Sequence, residues 1–157
     1  MVQWLSDDEQ RTWQAYVRLR QRMDAAIAAG LARDGLSAAD YELLVALSAA
    51  PDDSLRAKEL AAEVCWEKSR LSKHLARMAS RGLVDRTPAA DDARGILVRL
   101  TPQGRAAIEQ AAPNHVELVR SLFIEPMSAD EAAAIRSLAD RVVPVAERSA
   151  PLDVPCP

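Results

Sequence analysis

The chain has 157 residues, of which 49% are hydrophobic and 4% aromatic, so it can form one domain with its own core and its composition favours helices. Cys65 and Cys156 lack metal-ligand spacing, which predicts a protein without metal, cofactor or disulfide framework. No run of about 18 apolar residues occurs, so no membrane span is expected. The first residues lack the order of a signal peptide, which with the cysteine usage predicts a cytoplasmic protein. The net charge is −3, but residues 56–105 carry eleven Lys and Arg against six Asp and Glu, which predicts a basic middle that faces a polyanion.

The first half of the chain is predicted to be helical. Apolar residues with a period of about 3.6 indicate a helix over residues 8–30. Ser37 as N-cap, with Asp40 at the third helical position, predicts the start of a second helix. Further along, the pattern predicts a turn at 51–53, a short extended segment at 54–56, and helices at 57–64 and 67–81, the last ended by Gly82.

In the second half the hydrophobic period changes from 3.6 to 2, which predicts two strands at 83–87 and 96–100 with a polar loop at 88–95. Thr101 and Pro102 start a helix that runs to about Ile124, with a kink at Pro113. A capping box at Ser128 starts the last helix, to about residue 147. The predicted fold is mainly α with a small β wing, a winged helix-turn-helix with flanking N- and C-terminal helices.

Residues 67–81 carry the pattern expected of a helix that reads DNA. One stripe is apolar, with Leu71, Leu75 and Met78. The candidate DNA contacts lie opposite it or at its edges: Ser69, Arg70, Ser72, Lys73, His74 and Arg77. His74 flanks the apolar stripe, so it is predicted to be packed or to contact a phosphate, and not to bind metal. The alternative is any solvated amphipathic helix, but acidic residues are nearly absent after Glu67.

The predicted wing supplies the second candidate contact. Arg94 is placed to enter the narrow, electronegative minor groove, and Asp92 to orient its guanidinium. A plain hairpin turn is the alternative, since Asp and Gly also explain the loop.

These motifs together resemble the multiple-antibiotic-resistance regulator (MarR) family of winged helix-turn-helix transcriptional regulators. The similar segments are LRAKELA at 55–61, SRLS at 69–72, the run from Leu75 to Arg86, Asp-Ala-Arg at 92–94, and Leu100-Thr101-x-x-Gly104. The resemblance implies a homodimer that binds double-stranded DNA at a palindromic operator, usually as a repressor. It implies that 1–35 and 102–148 form a helical dimerisation region and that 36–101 bind DNA. The three prolines in 149–157 predict a loose tail.

The resemblance also implies release from DNA by a small phenolic or other anionic effector, bound between the dimer helices and the DNA-binding lobe. The candidate ligand-binding residues there are Trp13, Tyr16, Arg20, Tyr41 and Trp66. The alternative is that these aromatic residues belong to the core. Cys65 is a candidate redox sensor, because Lys68 and a helix N-terminus lie nearby; its alternative is a small buried filler.

The sequence leaves one other class of protein open and speaks against a second. A winged helix that contacts an acidic protein partner remains an alternative, which nonspecific DNA retention at low salt would distinguish. An enzyme is not predicted, because the sequence shows no nucleophile–base pairing at motif spacing, no metal cluster and no phosphate-binding glycine loop. No catalytic residue is therefore assigned.

Overall fold

The computed structural model describes residues 3–90 and 92–149, and the side chains at 92–94 and 149 lie outside that description. The helices are α1 (Asp7–Arg33), α2 (Ala38–Ala49), α3 (Ala57–Glu63), α4 (Lys68–Ser80), α5 (Pro102–Val119) and α6 (Ala129–Ser149). The strands are β1 (Ser54–Arg56), β2 (Val84–Ala89) and β3 (Asp92–Leu100), with a 3₁₀ turn at Pro51–Asp53 and a π-helical turn at Arg120–Ile124. The predicted fold class is confirmed.

Three of the helices, α2, α5 and α6, begin at the N-cap residues that the sequence predicts. Ser37 Oγ accepts from the Asp40 amide at 3.0 Å, while the Asp40 carboxylate accepts from the Ser37 amide at 2.9 Å. Thr101 Oγ1 accepts from the Gly104 amide at 2.9 Å. Before α6, Ser128 and Glu131 form the reciprocal pair, at 2.8 and 3.2 Å. Each cap satisfies helix N–H groups that have no partner within the helix.

The sheet has the strand order β1-β3-β2, and both pairings are antiparallel. Val98 of β3 lies opposite Leu55 of β1 and Arg86 of β2. The predicted polar loop at 88–95 is wrong for most of its length, because β2 continues to Ala89 and β3 begins at Asp92. Cross-strand pairing, with a register shift between Pro88 and Ala89, overrides the local turn preference of this segment.

The core lies between α2, α3, α4 and the β2–β3 hairpin. It is built on fully buried side chains, namely Leu43, Leu44, Leu47, Leu60, Leu71, Leu75, Met78, Val84 and Val98. The apolar stripe predicted on α4 is therefore confirmed. Full burial of one such side chain stabilises the fold by about 1.5–3 kcal/mol, so this stripe fixes the rotation of α4 about its axis.

Two glycines set how the hairpin follows α4 and precedes α5. Gly82 ends α4 with a φ of +74°, a conformation that costs other residues energy. A Cβ at Gly104 would lie 2.1 Å from the carbonyl oxygen of Leu83, so only glycine allows α5 to approach the start of β2 this closely.

The long helices α1, α5 and α6 lie outside the centre of the core, which α2, α3, α4 and the hairpin form. α1 packs against α5 and α2, and Pro113 lies inside α5 without ending it. α6 is exposed along nearly its whole described length, with Leu138 at 54% and Val142 at 50%. None of the helices in the described ranges is long and apolar enough to cross a membrane. The predicted tail from 149 on, with Cys156, lies outside the described residues except for the end of α6 at Ser149.

Candidate nucleic-acid interface

α4 presents one buried and one exposed face. Glu67, the first residue of the predicted helix, occupies the N-cap position of α4. Leu71, Leu75 and Met78 face the core. The exposed predicted contacts are Ser69, Arg70, Ser72, Lys73 and Arg77. The sixth, His74, is buried. α4 and its C-cap residue together carry five basic side chains and no acidic one. The basic residues are Lys68, Arg70, Lys73, Arg77 and the C-cap Arg81.

The first turn of this exposed face is held by contacts within the protein. Ser69 Oγ donates to the Glu67 carboxylate at 2.7 Å. The Arg70 guanidinium stacks over the Trp66 ring, 3.8 Å from its centroid. Burial raises the pKa of Glu42 above its ordinary value, opposed by the charge of Arg70 and a hydrogen bond from Trp66. Arg70 therefore lies on an aromatic platform beside a carboxyl group, which restricts its rotamers.

His74 is part of a buried hydrogen-bond network that the sequence does not reveal. Its Nε2 lies 2.9 Å from Asp40 Oδ1 on α2, and its Nδ1 lies 2.8 Å from Nη2 of Arg77. Trp66 packs edge-on against the imidazole, with ring centroids 5.4 Å apart. Both ring nitrogens are thus occupied, so the packed alternative describes His74 and its assignment as a direct DNA contact needs correction.

Asp40 connects this network to the helix end. Its Oδ2 accepts from Arg81 Nη1 at 2.7 Å, and Arg81 Nη2 donates to the Gly35 carbonyl at 2.8 Å. Burial alone would raise the pKa of Asp40, but hydrogen bonds from Arg81, Ser37 and His74 outweigh it and hold the pKa below its ordinary value. The aspartate is therefore ionised at neutral pH, and it ties α2 to both middle and end of α4.

The side chains of Asp92 and Arg94 lie outside the described residues, so their predicted arrangement at the wing stays a prediction. The described hairpin exposes two further basic residues that the sequence analysis did not single out. Arg86 on β2 and Arg99 on β3 are both exposed, and Arg99 lies opposite Asp85. Alternation along β3 was a signal for Arg99, which lies between the buried Val98 and Leu100, whereas the exposed residues of β2 do not alternate with buried ones.

The five candidate ligand-binding residues do not form one site within a single chain. Trp13 and Tyr16 lie 5.5 Å apart on α1 with Arg20 5.9 Å from the Tyr16 ring, and both aromatic rings are about half exposed. Tyr41 contacts His115 instead, with ring centroids 4.6 Å apart. Trp66 is buried beneath Arg70, so for Trp66 the core alternative holds.

A surface cavity of about 230 Å³ lies beside His115 of α5. It is lined by His115, Val116, Val119, Arg120 and Ile124. Burial lowers the pKa of His115, and its Nδ1 is buried without a hydrogen-bond partner among the described residues. The cavity combines an apolar lining with the guanidinium of Arg120.

Comparison with known proteins identifies the family. A model of the MarR family matches residues 34–95. The chain is similar to AbsC, a MarR family transcriptional regulator from Streptomyces coelicolor, at 33% identity over 94% of this chain and 97% of that one, with a TM-score of 0.86. The chain belongs to the MarR family.

Two further MarR relatives agree. Sco3205, a MarR family transcriptional regulator from Streptomyces coelicolor solved in complex with DNA, is 32% identical over 96% of this chain and 93% of that one, with a TM-score of 0.87. The multiple antibiotic resistance protein MarR of Salmonella typhimurium is 32% identical over 74 residues, 47% of this chain. The chain spans about half, 51%, of that relative's length. AbsC and Sco3205 are both transcriptional regulators, the class of protein that the sequence analysis predicts for this chain.

The exposure of Cys65 excludes one of the two expectations for this residue. It is exposed, and it lies between α3 and α4 with a φ of 53°. The alternative of a buried filler is therefore wrong. A residue other than glycine seldom adopts this left-handed conformation, which here belongs to the turn between α3 and α4.

Proposed function

We propose that this chain is a sequence-specific transcriptional regulator, acting as a repressor, that binds a palindromic operator as a homodimer with α4 in the major groove. The observation that carries the proposal is the basic, exposed face of α4 on a helix whose opposite face is fully buried. The DNA-bound structure of Sco3205, at 32% identity, supports it. A rigid helix with short polar and long basic side chains matches both the width and the chemistry of that groove.

Each exposed residue of α4 has a role that its chemistry suits. Arg70 and Arg77 can donate two hydrogen bonds to a guanine edge, while Lys73 reaches a guanine or a phosphate. Ser69 and Ser72 lie where a hydroxyl group meets either a base or the backbone. Arg94 remains the proposed minor-groove contact, with Asp92 as its orienting partner.

The proposed dimer rests on apolar surface that one chain leaves in water. Trp13, Leu138, Val142 and Val143 are each at least half exposed, on α1 and α6. Soluble proteins seldom leave large apolar patches exposed to water. A second copy would bury them and space two α4 helices about one DNA turn apart, as a palindrome requires. We therefore assign 1–35 and 102–148 to dimerisation and 36–101 to DNA binding.

The test is operator binding, followed by fluorescence anisotropy, with the inverted repeat taken from the promoter beside the gene. Arg70→Ala and Arg77→Ala should each lower specific affinity by about 1–3 kcal/mol, and Lys73→Ala should also reduce the salt dependence. Arg11→Ala is the matched control, because Arg11 is an exposed arginine of α1 that lies outside residues 36–101 and is paired with Asp8 at 3.0 Å. DNA binding without salt dependence, or unaffected by all three changes, would refute the proposal and favour a protein-interaction module.

The His115 cavity favours regulation by a small effector as a second proposal. An apolar lining with the Arg120 guanidinium suits a phenol or a benzoate, whose ring would pack against the lining and whose anionic group would pair with Arg120. A series of benzoates should release the operator, and Arg120→Ala should raise the concentration needed. Release by peroxide that Cys65→Ser abolishes would instead establish the redox alternative. If neither benzoates nor peroxide release the operator, both the effector proposal and the redox alternative are refuted.

A further inference from the structure

We propose that His74 is a positioning residue for DNA binding: fixed by Asp40, it accepts a hydrogen bond from Arg77 and sets the direction in which that guanidinium leaves α4. This inference rests on the proposed function. It differs from the original assignment of His74 as a contact, because His74 here acts through Arg77 and does not touch DNA.

The hydrogen-bond chemistry leaves one arrangement of protons. A guanidinium has only donors, so the His74 Nδ1 that lies 2.8 Å from Arg77 Nη2 must accept. The ring proton is then on Nε2, which donates to Asp40 Oδ1 at 2.9 Å. The carboxylate of Asp40 thus selects the imidazole tautomer that can hold Arg77, as an outer carboxylate orients a histidine in a metal site.

The imidazole has little freedom to leave this position. Asp40 is itself fixed by the Ser37 amide and the Arg81 guanidinium, and Trp66 packs edge-on against the ring at an interplanar angle of 84°. His74 is only 9% exposed. Because one N–H of Arg77 is held by a rigid partner, the guanidinium loses less conformational freedom when it binds DNA. Its remaining donors stay on the exposed side of α4.

The obvious alternative is that His74 serves stability alone, through its contact with Asp40. Two variants separate the roles. In His74→Asn the amide oxygen lies near the position of Nδ1 and can still accept from Arg77. In His74→Gln the amide nitrogen lies near Nε2 and can still donate to Asp40, but Arg77 loses its acceptor.

The experiment measures operator affinity of the full chain, in wild-type and Arg77→Ala backgrounds, together with urea unfolding. His74→Gln should weaken binding by about fivefold or more and relax discrimination at the base pair that Arg77→Ala affects, while His74→Asn stays within about threefold of wild type. In the Arg77→Ala background, His74→Gln should have no further effect on affinity, as expected of residues that act together.

Equal losses of affinity from His74→Gln in both backgrounds, or wild-type affinity in His74→Gln, would overturn the inference while leaving the proposed function in place. Failure of the wild-type chain to bind any operator would instead refute the proposed function. A long-range ¹H–¹⁵N spectrum of the DNA-free protein gives an independent check, since the inference requires the proton on Nε2 of His74, and a proton on Nδ1 would overturn it.

Discussion

Replacing Asp40 by asparagine changes the shape of the side chain very little but disrupts its hydrogen bonds. Asp40 Oδ2 accepts from Ser37 and Arg81, and Oδ1 accepts from His74. If the amide oxygen of the asparagine took over the first two contacts, its NH₂ group would point at the Nε2–H of His74. Moving the imidazole proton to Nδ1 would relieve that conflict only by opposing the donor of Arg77.

The magnitude follows from these contacts. A hydrogen bond to a charged group contributes about 1.5–3 kcal/mol, and a buried polar group left without a partner costs about 1–3 kcal/mol. Asp40 is only 2% exposed, so water does not replace the lost partners. We therefore expect Asp40→Asn to lower the free energy of unfolding by about 3 kcal/mol, a large part of the roughly 5–15 kcal/mol typical of a folded protein.

The assay is urea unfolding at pH 7 and a fixed protein concentration, because a dimer's stability depends on concentration. Asp53→Asn is the matched control. Asp53 pairs with Arg105, but these side chains are 38% and 41% exposed, so its loss should cost less than about 1 kcal/mol. A loss in Asp40→Asn no larger than in Asp53→Asn would refute the reasoning.

The pH dependence gives the same prediction a second test. The pKa of Asp40 is lower in the folded state than its ordinary value of 3.8, so the ionised carboxylate stabilises the folded chain above that value. This contribution is lost as the pH falls through the folded-state pKa. The stability difference between wild type and Asp40→Asn should therefore stay constant from pH 7 to about pH 4.5 and shrink below pH 3.8. A difference that shrinks already between about pH 7 and 5 would contradict the assignment.

Three further predictions concern packing, capping and assembly. Gly104→Ala should destabilise the chain by about 1–3 kcal/mol in thermal unfolding, since the new Cβ meets the Leu83 carbonyl, whereas Gly30→Ala should be tolerated because its nearest neighbour is the flexible end of Leu118. Ser128→Ala should cost about 0.5–2 kcal/mol through loss of the α6 cap. Val142→Asp should shift the protein to monomers in sedimentation velocity, and a persistent dimer would exclude α6 from the interface.

The features that the sequence predicted well depend on residues close together in the chain. The caps at Ser37, Thr101 and Ser128 each join residues three apart, so their pattern is visible as letters. The apolar stripe of α4 is likewise a local pattern, because a helix converts fixed spacing into one face. These signals were sufficient for the order of elements and for most of the proposed DNA-facing surface.

The features that it missed depend on partners far apart in the chain. Asp40 was recognised only as part of a capping box, because His74 and Arg81 are 34 and 41 residues away. The spacing of His74, Arg77 and Arg81 on one side of α4 was a signal, but only a buried carboxylate facing it gives that spacing a meaning. The hairpin extended further than predicted for the same reason, since pairing between strands is invisible in either strand alone.

The central claim is that the exposed face of α4 reads DNA sequence, and the ratio of operator affinity to random-DNA affinity tests it most directly. For the wild-type chain we expect a ratio of at least about 10³ at physiological salt. In the variant Arg70→Ala/Lys73→Ala/Arg77→Ala the ratio should fall close to one, while weak binding to random DNA persists through phosphate contacts elsewhere. A triple variant that folds with the stability of the wild type and keeps the wild-type ratio would contradict the claim.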